Sequence, residues 1–110
     1  MSGDTPIDVR DNRDKSRFEA TLDGHTAVVD YNLTPGRLLI AHTEVPQAIE
    51  GRGIASRMFN TVIATARSEQ LMIVPVCPVF ALWLRRHPEA HDLIDPGFLR
   101  SLGLAPKAQD

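Results

Sequence analysis

Three groups of residues in this chain have side chains or backbone suited to chemistry. In the segment Glu50-Gly51-Arg52-Gly53-Ile54-Ala55-Ser56-Arg57, two glycines stand directly ahead of a periodic apolar stretch. Backbone N–H groups at a helix start lack intrahelical partners and carry partial positive charge. Glycine lets such a backbone approach a ligand with no Cβ in the way. The turn is therefore suited to cradling a phosphate or pyrophosphate, with Arg52 and Arg57 able to add charge-assisted contacts. It is not a P-loop, because no Lys-Ser/Thr pair follows the glycines, and Ser56 fills the third glycine position of a dinucleotide fingerprint. The competing reading is an ordinary glycine-rich helix start.

The second group is Cys77 alone. It precedes Pro78, so it is held extended at or just before a helix start, a location that favours the thiolate. Free cysteine is also among the most buried residue types, so a plain packing role stands beside the reactive one. The third group is His42 and Glu44, two residues apart on one strand face. Histidine titrates near neutral pH and suits a general base, although either residue also reads as solvated surface. Arg85, Arg86 and His87 complement the dipole at a helix end, or could contact an acidic ligand. The four histidines have no metal-ligand spacing and one cysteine cannot build a multi-cysteine zinc site, so no metal is expected.

These groups need elements to hold them. Phe18, Ala20 and Leu22 alternate with polar neighbours as in a half-buried strand, and Asp23-Gly24 is a hairpin turn signal. Ala27, Val29, Tyr31 and Leu33 form one face of the next run, which Thr34-Pro35-Gly36 turns back. Arg37 to Val45 then alternates, with Leu38, Ile40, His42 and Glu44 expected on one face and Leu39, Ala41, Thr43 and Val45 on the other. Residues 7–12 add an earlier strand. From Ile54 the period changes: Ala55, Met58, Phe59, Val62 and Ala66 recur at spacings of three and four, which predicts an amphipathic helix ending near Gln70. Leu71 to Val76 is a short apolar strand, and Val79 to Arg86 a helix that His87-Pro88 stops. The order β-β-β-β-α-β-α describes an α+β domain, an antiparallel meander followed by α-β-α.

The chain has 110 residues, 43% apolar and 24% charged, with a formal net charge of -2. That suits one domain, expected over residues 6–100, with a disordered lead-in at 1–5 and a loose tail at 101–110. The slightly acidic balance argues against nucleic-acid binding driven by overall charge, and 5% aromatics leave no base-stacking platform. One cysteine excludes an internal disulfide framework. No apolar run approaches the length of a membrane span, and the opening residues lack a signal-peptide layout. A cytoplasmic location is the expectation.

The turn Glu50-Gly51-Arg52-Gly53-Ile54-Ala55 resembles the R/Q-x-x-G-x-G/A pyrophosphate turn of the GNAT acetyltransferase superfamily. The resemblance extends to a minimal one-domain GNAT subfamily over roughly residues 7–95. It runs through His42-Thr43-Glu44-Val45-Pro46, then Gly51 to Ala55, then Pro75-Val76-Cys77-Pro78, and then Leu84-Arg85-Arg86-His87-Pro88-Glu89. It implies a small GNAT-like domain whose strands splay to hold CoA, with acetyl-CoA as co-substrate and no metal. It implies cofactor binding by Thr43, Val45, Gly51, Arg52, Gly53, Ile54, Ala55, Ser56 and Arg57. His42, Glu44 and Cys77 would then stand near the thioester, with Cys77 either a covalent acetyl carrier or part of the pocket wall. The implied acceptor is a primary amine: a protein lysine, a polyamine or a small amine. One departure is Glu50, where the superfamily has Arg or Gln. A carboxylate there repels a pyrophosphate unless it faces solvent or pairs with Arg52 or Arg57. Glu50 and the shortness of the chain favour the alternative, a non-catalytic CoA-binding or protein-interaction module of GNAT fold.

Overall fold

The alternating first half folds as a meander of β1 (Val9–Asn12), β2 (Arg17–Leu22), β3 (His25–Thr34) and β4 (Arg37–Glu44), each antiparallel to its neighbour. A computed structural model describes residues 7–104, so the expected lead-in at 1–5 lies outside the described residues. The hairpin turns need left-handed backbone: Asp23 and Gly24 take φ of 52° and 78°, and Gly36 takes 74°. A short 3-10 turn, Gln47–Ile49, leads from β4 to α1 (Ile54–Glu69). The chain then returns as β5 (Met72–Pro75), parallel to β4 at the sheet edge. Helix α2 (Pro78–Arg85) follows, with Pro78 at its first position.

Two further pieces were not visible as periodicity, a 3-10 stretch at Pro88–Leu93 and α3 (Pro96–Ser101). Each has six residues, too few for a helical period to declare itself. Local chemistry starts α3: the Asp95 carboxylate accepts the Gly97 N–H at 2.9 Å, and Pro96 takes the first position. Leu104 donates its N–H to the Leu99 carbonyl at 2.9 Å, so the first residues of the expected tail pack here, while 105–110 lie outside the described residues.

Helix α1 buries Ile54, Met58, Phe59, Val62 and Ala66 over β1 to β3, and α2 packs over β4 and β5. The two helices meet at Phe59 and Phe80, whose ring centroids are 4.9 Å apart. Each such fully buried side chain contributes about 1.5–3 kcal/mol of transfer free energy. The far end of α1 is tied to the meander through Arg13, which bonds both Asp11 and Glu69 at 2.6 Å. Tyr31 donates its hydroxyl to Asp11 at 2.6 Å, and burial together with that carboxylate pushes its pKa up. No helix among the described residues is long and apolar enough to cross a membrane.

The face expected for β4 holds only as far as Ile40. Tyr31 opposes Ile40 but Asp30 opposes His42, so Ala41 has no partner on β3 and forms a bulge. One extra residue reverses the alternation beyond it. Thr43 thereby opposes buried Val29 on the core side, while His42 and Glu44 oppose Asp30 and Val28 on the other face. Their expected place beside Leu38 and Ile40 is corrected by this bulge.

Candidate active site

Pairing between β4 and β5 stops at Ile40 and Pro75. The N–H groups of Val76 and Cys77 both converge on the Ile40 carbonyl, at 3.1 and 2.9 Å, and the chain then turns into α2. From Ala41 onward β4 pairs with β3 alone, so its other edge faces an open wedge. A cleft of about 480 Å³ occupies this region. Thr43, Glu44 and Val45 line it from β4 and its continuation, and Val79 from α2.

The opposite wall is the glycine turn. Gly51 and Gly53 line the cleft, with φ of 78° and 79°. A Cβ at either would meet nothing within 4 Å, so glycine is required by the left-handed backbone and not by crowding. Gly53 is the N-cap of α1 and supplies no side chain to the first turn, whose first ladder bond is Arg57 N–H to the Gly53 carbonyl at 3.1 Å. Ile54, Ala55 and Ser56 precede that bond and also line the cleft. Their amides have the orientation and charge that bind an anion.

The two arginines of the turn lie elsewhere. Arg52 Nη1 is 3.1 Å from Asp23 Oδ2 in the first hairpin, and Arg57 lines a separate depression of about 270 Å³ with Ile7 and Val9. Glu50, in contrast, lines the cleft, and it forms no ion pair among the described residues. Cys77 is the N-cap of α2 and 2% exposed, with its Sγ 3.3 Å from Thr43 Oγ1. It thus stands behind the cleft wall that Thr43 forms. His42 Nε2 lies 3.9 Å from Glu44 Oε1, and both side chains are open to solvent.

Residue types alone did not single out Val79, whose position one step after Pro78 turns it into the cleft, 51% exposed. Nor did they connect Ser56 with Trp83, although the indole Nε1–H donates to Ser56 Oγ at 3.1 Å. A second groove, of about 640 Å³, runs from Arg17 and Val28 on the open sheet face to Gln47. It shares Glu44, Val45 and Glu50 with the first, so the two meet along that rim.

Residues 17–93, which hold β2 to β4 of the meander, the turn, the wedge and α2, match the family model described as GCN5-related N-acetyl-transferase. The chain belongs to the GCN5-related N-acetyltransferase family. It is also 30% identical over 86 residues to Protein NATD1 of Gallus gallus and to Protein NATD1 of Mus musculus, covering 76% of this chain and 78% of each relative. Membership gives the chain an N-acetyltransferase type of role. The small α+β GNAT fold, with a mostly antiparallel open sheet and one parallel edge strand, agrees with that membership.

Proposed function

We propose that the protein transfers an acetyl group from acetyl-CoA to a primary amine. The observation supporting this most directly is the uncapped first turn of α1, opened by two left-handed glycines, facing the free edge of β4 across one cleft. The cleft volume lies in the range of small-molecule sites. When bound there, acetyl-CoA supplies an acyl carbon activated as a thioester. Ile54, Ala55 and Ser56, with Gly51 and Gly53, hold the pyrophosphate by backbone N–H groups. Arg52 adds charge once it leaves Asp23, an exposed pair worth only about 0–1 kcal/mol. Arg57 contributes through its positive potential alone.

Thr43 and Val45 line the reacting end. Glu44, at the rim shared by both grooves, takes the proton of the incoming amine as its nitrogen bonds the acyl carbon and the C–S bond breaks. His42 beside it passes that proton to solvent, which in turn protonates the departing CoA thiolate. The second groove gives the amine its approach from the open sheet face. Cys77, sealed behind Thr43, supports direct attack by the amine better than a covalent acetyl-carrier role.

The test is calorimetric titration with acetyl-CoA against an ADP control, followed by assay with a panel of amines. Binding that needs the pantetheine arm, with acetylated product, is expected. A ligand at about a hundred times its dissociation constant should stabilise the fold by ~2.7 kcal/mol. Absence of binding at millimolar acetyl-CoA would overturn the reading. The Glu50 carboxylate in the cleft, without an ion pair among the described residues, favours one rival, a CoA-binding or protein-interaction module without catalysis. Binding with no turnover on any amine would support it.

A further inference from the structure

Building on the donor site proposed above, we propose that Trp83, which does not line the cleft, is a positioning residue that aims the Ser56 hydroxyl at the anionic part of the donor. Ser56 lines the cleft in the first turn of α1, and its Oγ lies 3.1 Å from Trp83 Nε1. An indole N–H can only donate, so Ser56 Oγ accepts, and its own proton must point away from the ring. Among the described residues no protein acceptor takes that proton.

Helix α1 itself contains the contrasting case. Thr61 turns its hydroxyl back onto the Arg57 carbonyl at 3.1 Å, the usual fate of a hydroxyl within a helix. Ser56 lies in the first turn, where the residue four back, Arg52, precedes the helix, and its Oγ meets Trp83 instead. The hydroxyl is therefore available as a donor beside the first-turn amides, where a hydrogen bond to an anion is charge-assisted.

The indole is firmly placed. His87 stacks on it with ring centroids 3.7 Å apart and planes 14° from parallel, and His87 Nδ1–H donates to the Trp83 carbonyl at 2.8 Å. Phe59 contacts the ring with centroids 5.5 Å apart. Trp83 thus reaches the donor site through one hydrogen bond to α1.

The test is a double-mutant cycle read by calorimetry with acetyl-CoA. Ser56→Ala should weaken binding about tenfold, and Trp83→Phe, which keeps a ring but removes the donor, by about three- to tenfold. The double variant should bind no more weakly than Ser56→Ala alone. Turnover at saturating donor should stay within about twofold in Trp83→Phe, because only donor binding has changed. Unchanged affinity in Trp83→Phe, or losses that multiply in the double variant, would overturn the assignment. Should Trp83→Phe fail to fold, benzothienylalanine at position 83 keeps the ring shape without the N–H, and the same outcomes decide.

Failure of the wild-type chain to bind acetyl-CoA would overturn the donor reading. The cycle repeated with inorganic pyrophosphate then decides the coupling separately: coupled losses sustain it, and additive losses or no binding overturn it.

Discussion

Thr43 Oγ1 and Cys77 Sγ lie 3.3 Å apart across the wedge where β5 leaves β4. The contact exists because the bulge at Ala41 turns Thr43 to the Val29 side of the sheet, while Pro78 starts α2 immediately after Cys77. It places a hydroxyl in the cleft wall and a thiol behind it.

Cys77 should accordingly behave as a sheltered thiol. With 2% exposure, its alkylation by iodoacetamide in the folded protein should be at least about a hundredfold slower than in urea. Cys77→Ala should retain turnover to within about tenfold, as direct attack by the amine requires. An acetyl adduct on Cys77 in intact-protein mass spectrometry, with loss of turnover in Cys77→Ala, would establish the covalent-carrier alternative.

Glu44 and His42 should separate kinetically. Glu44 lines the cleft, and His42 reaches it only through Glu44 at 3.9 Å. Glu44→Gln should lower kcat by about a hundredfold or more, the usual worth of a positioned base. The effect of His42→Ala should be smaller, because water can replace a relay at an exposed site. Equal effects, or none from Glu44→Gln, would remove Glu44 from the proton path.

Gly53 carries a backbone constraint that can be measured without ligand. Its φ of 79° is left-handed, and an added Cβ meets no neighbour. Gly53→Ala should therefore destabilise the fold by about 1–2 kcal/mol through backbone strain alone. Gly53→Asn should cost less, because asparagine tolerates that region. Urea unfolding of the three proteins at equal concentration provides the comparison.

Asp23 should compete with the donor for Arg52. Asp23→Asn removes the carboxylate 3.1 Å from the guanidinium while keeping a residue that accepts the turn's φ of 52°. Acetyl-CoA should bind about two- to threefold more tightly to this variant at low salt. The difference should fade near 1 M salt, where screening acts within about 3 Å. A gain that persists at high salt would point to a change in the turn itself.

Acid should unfold the protein through three carboxylates. A hydrogen bond from Arg17 holds Glu19 below its usual range, and Arg67 and Arg37 do the same for Asp92 and Asp95. A lowered folded-state pKa gives stability that is present above the unfolded value of about 4 and is lost as pH falls through the folded values. Melting temperature should therefore be level above about pH 5 and drop below about pH 4. Asp95→Asn should flatten part of that drop, and an unchanged acid slope would remove the Arg37 pair from the account.

Much of this molecule follows from local rules acting within a few residues. Alternation at Phe18, Ala20 and Leu22 specifies a half-buried strand, and the turns at Asp23-Gly24 and Pro35-Gly36 allow one direction of return. Spacing by three and four from Ile54 to Ala66 specifies α1, and the glycines before it specify a left-handed entry that exposes the helix amides. Other features are settled by partners distant in the chain. Ala41 bulges because of how β3 and β4 register, and an alanine gives no sign of it; that single slip decides which of His42 and Thr43 faces the core. Arg52 belongs to Asp23, 29 residues earlier, because long side chains pair wherever folding brings an opposite charge within reach. Ser56 meets Trp83 only because α1 and α2 pack together around Phe59 and Phe80. Periodicity determines which elements form and which face is apolar, whereas register and packing between elements decide which polar groups meet.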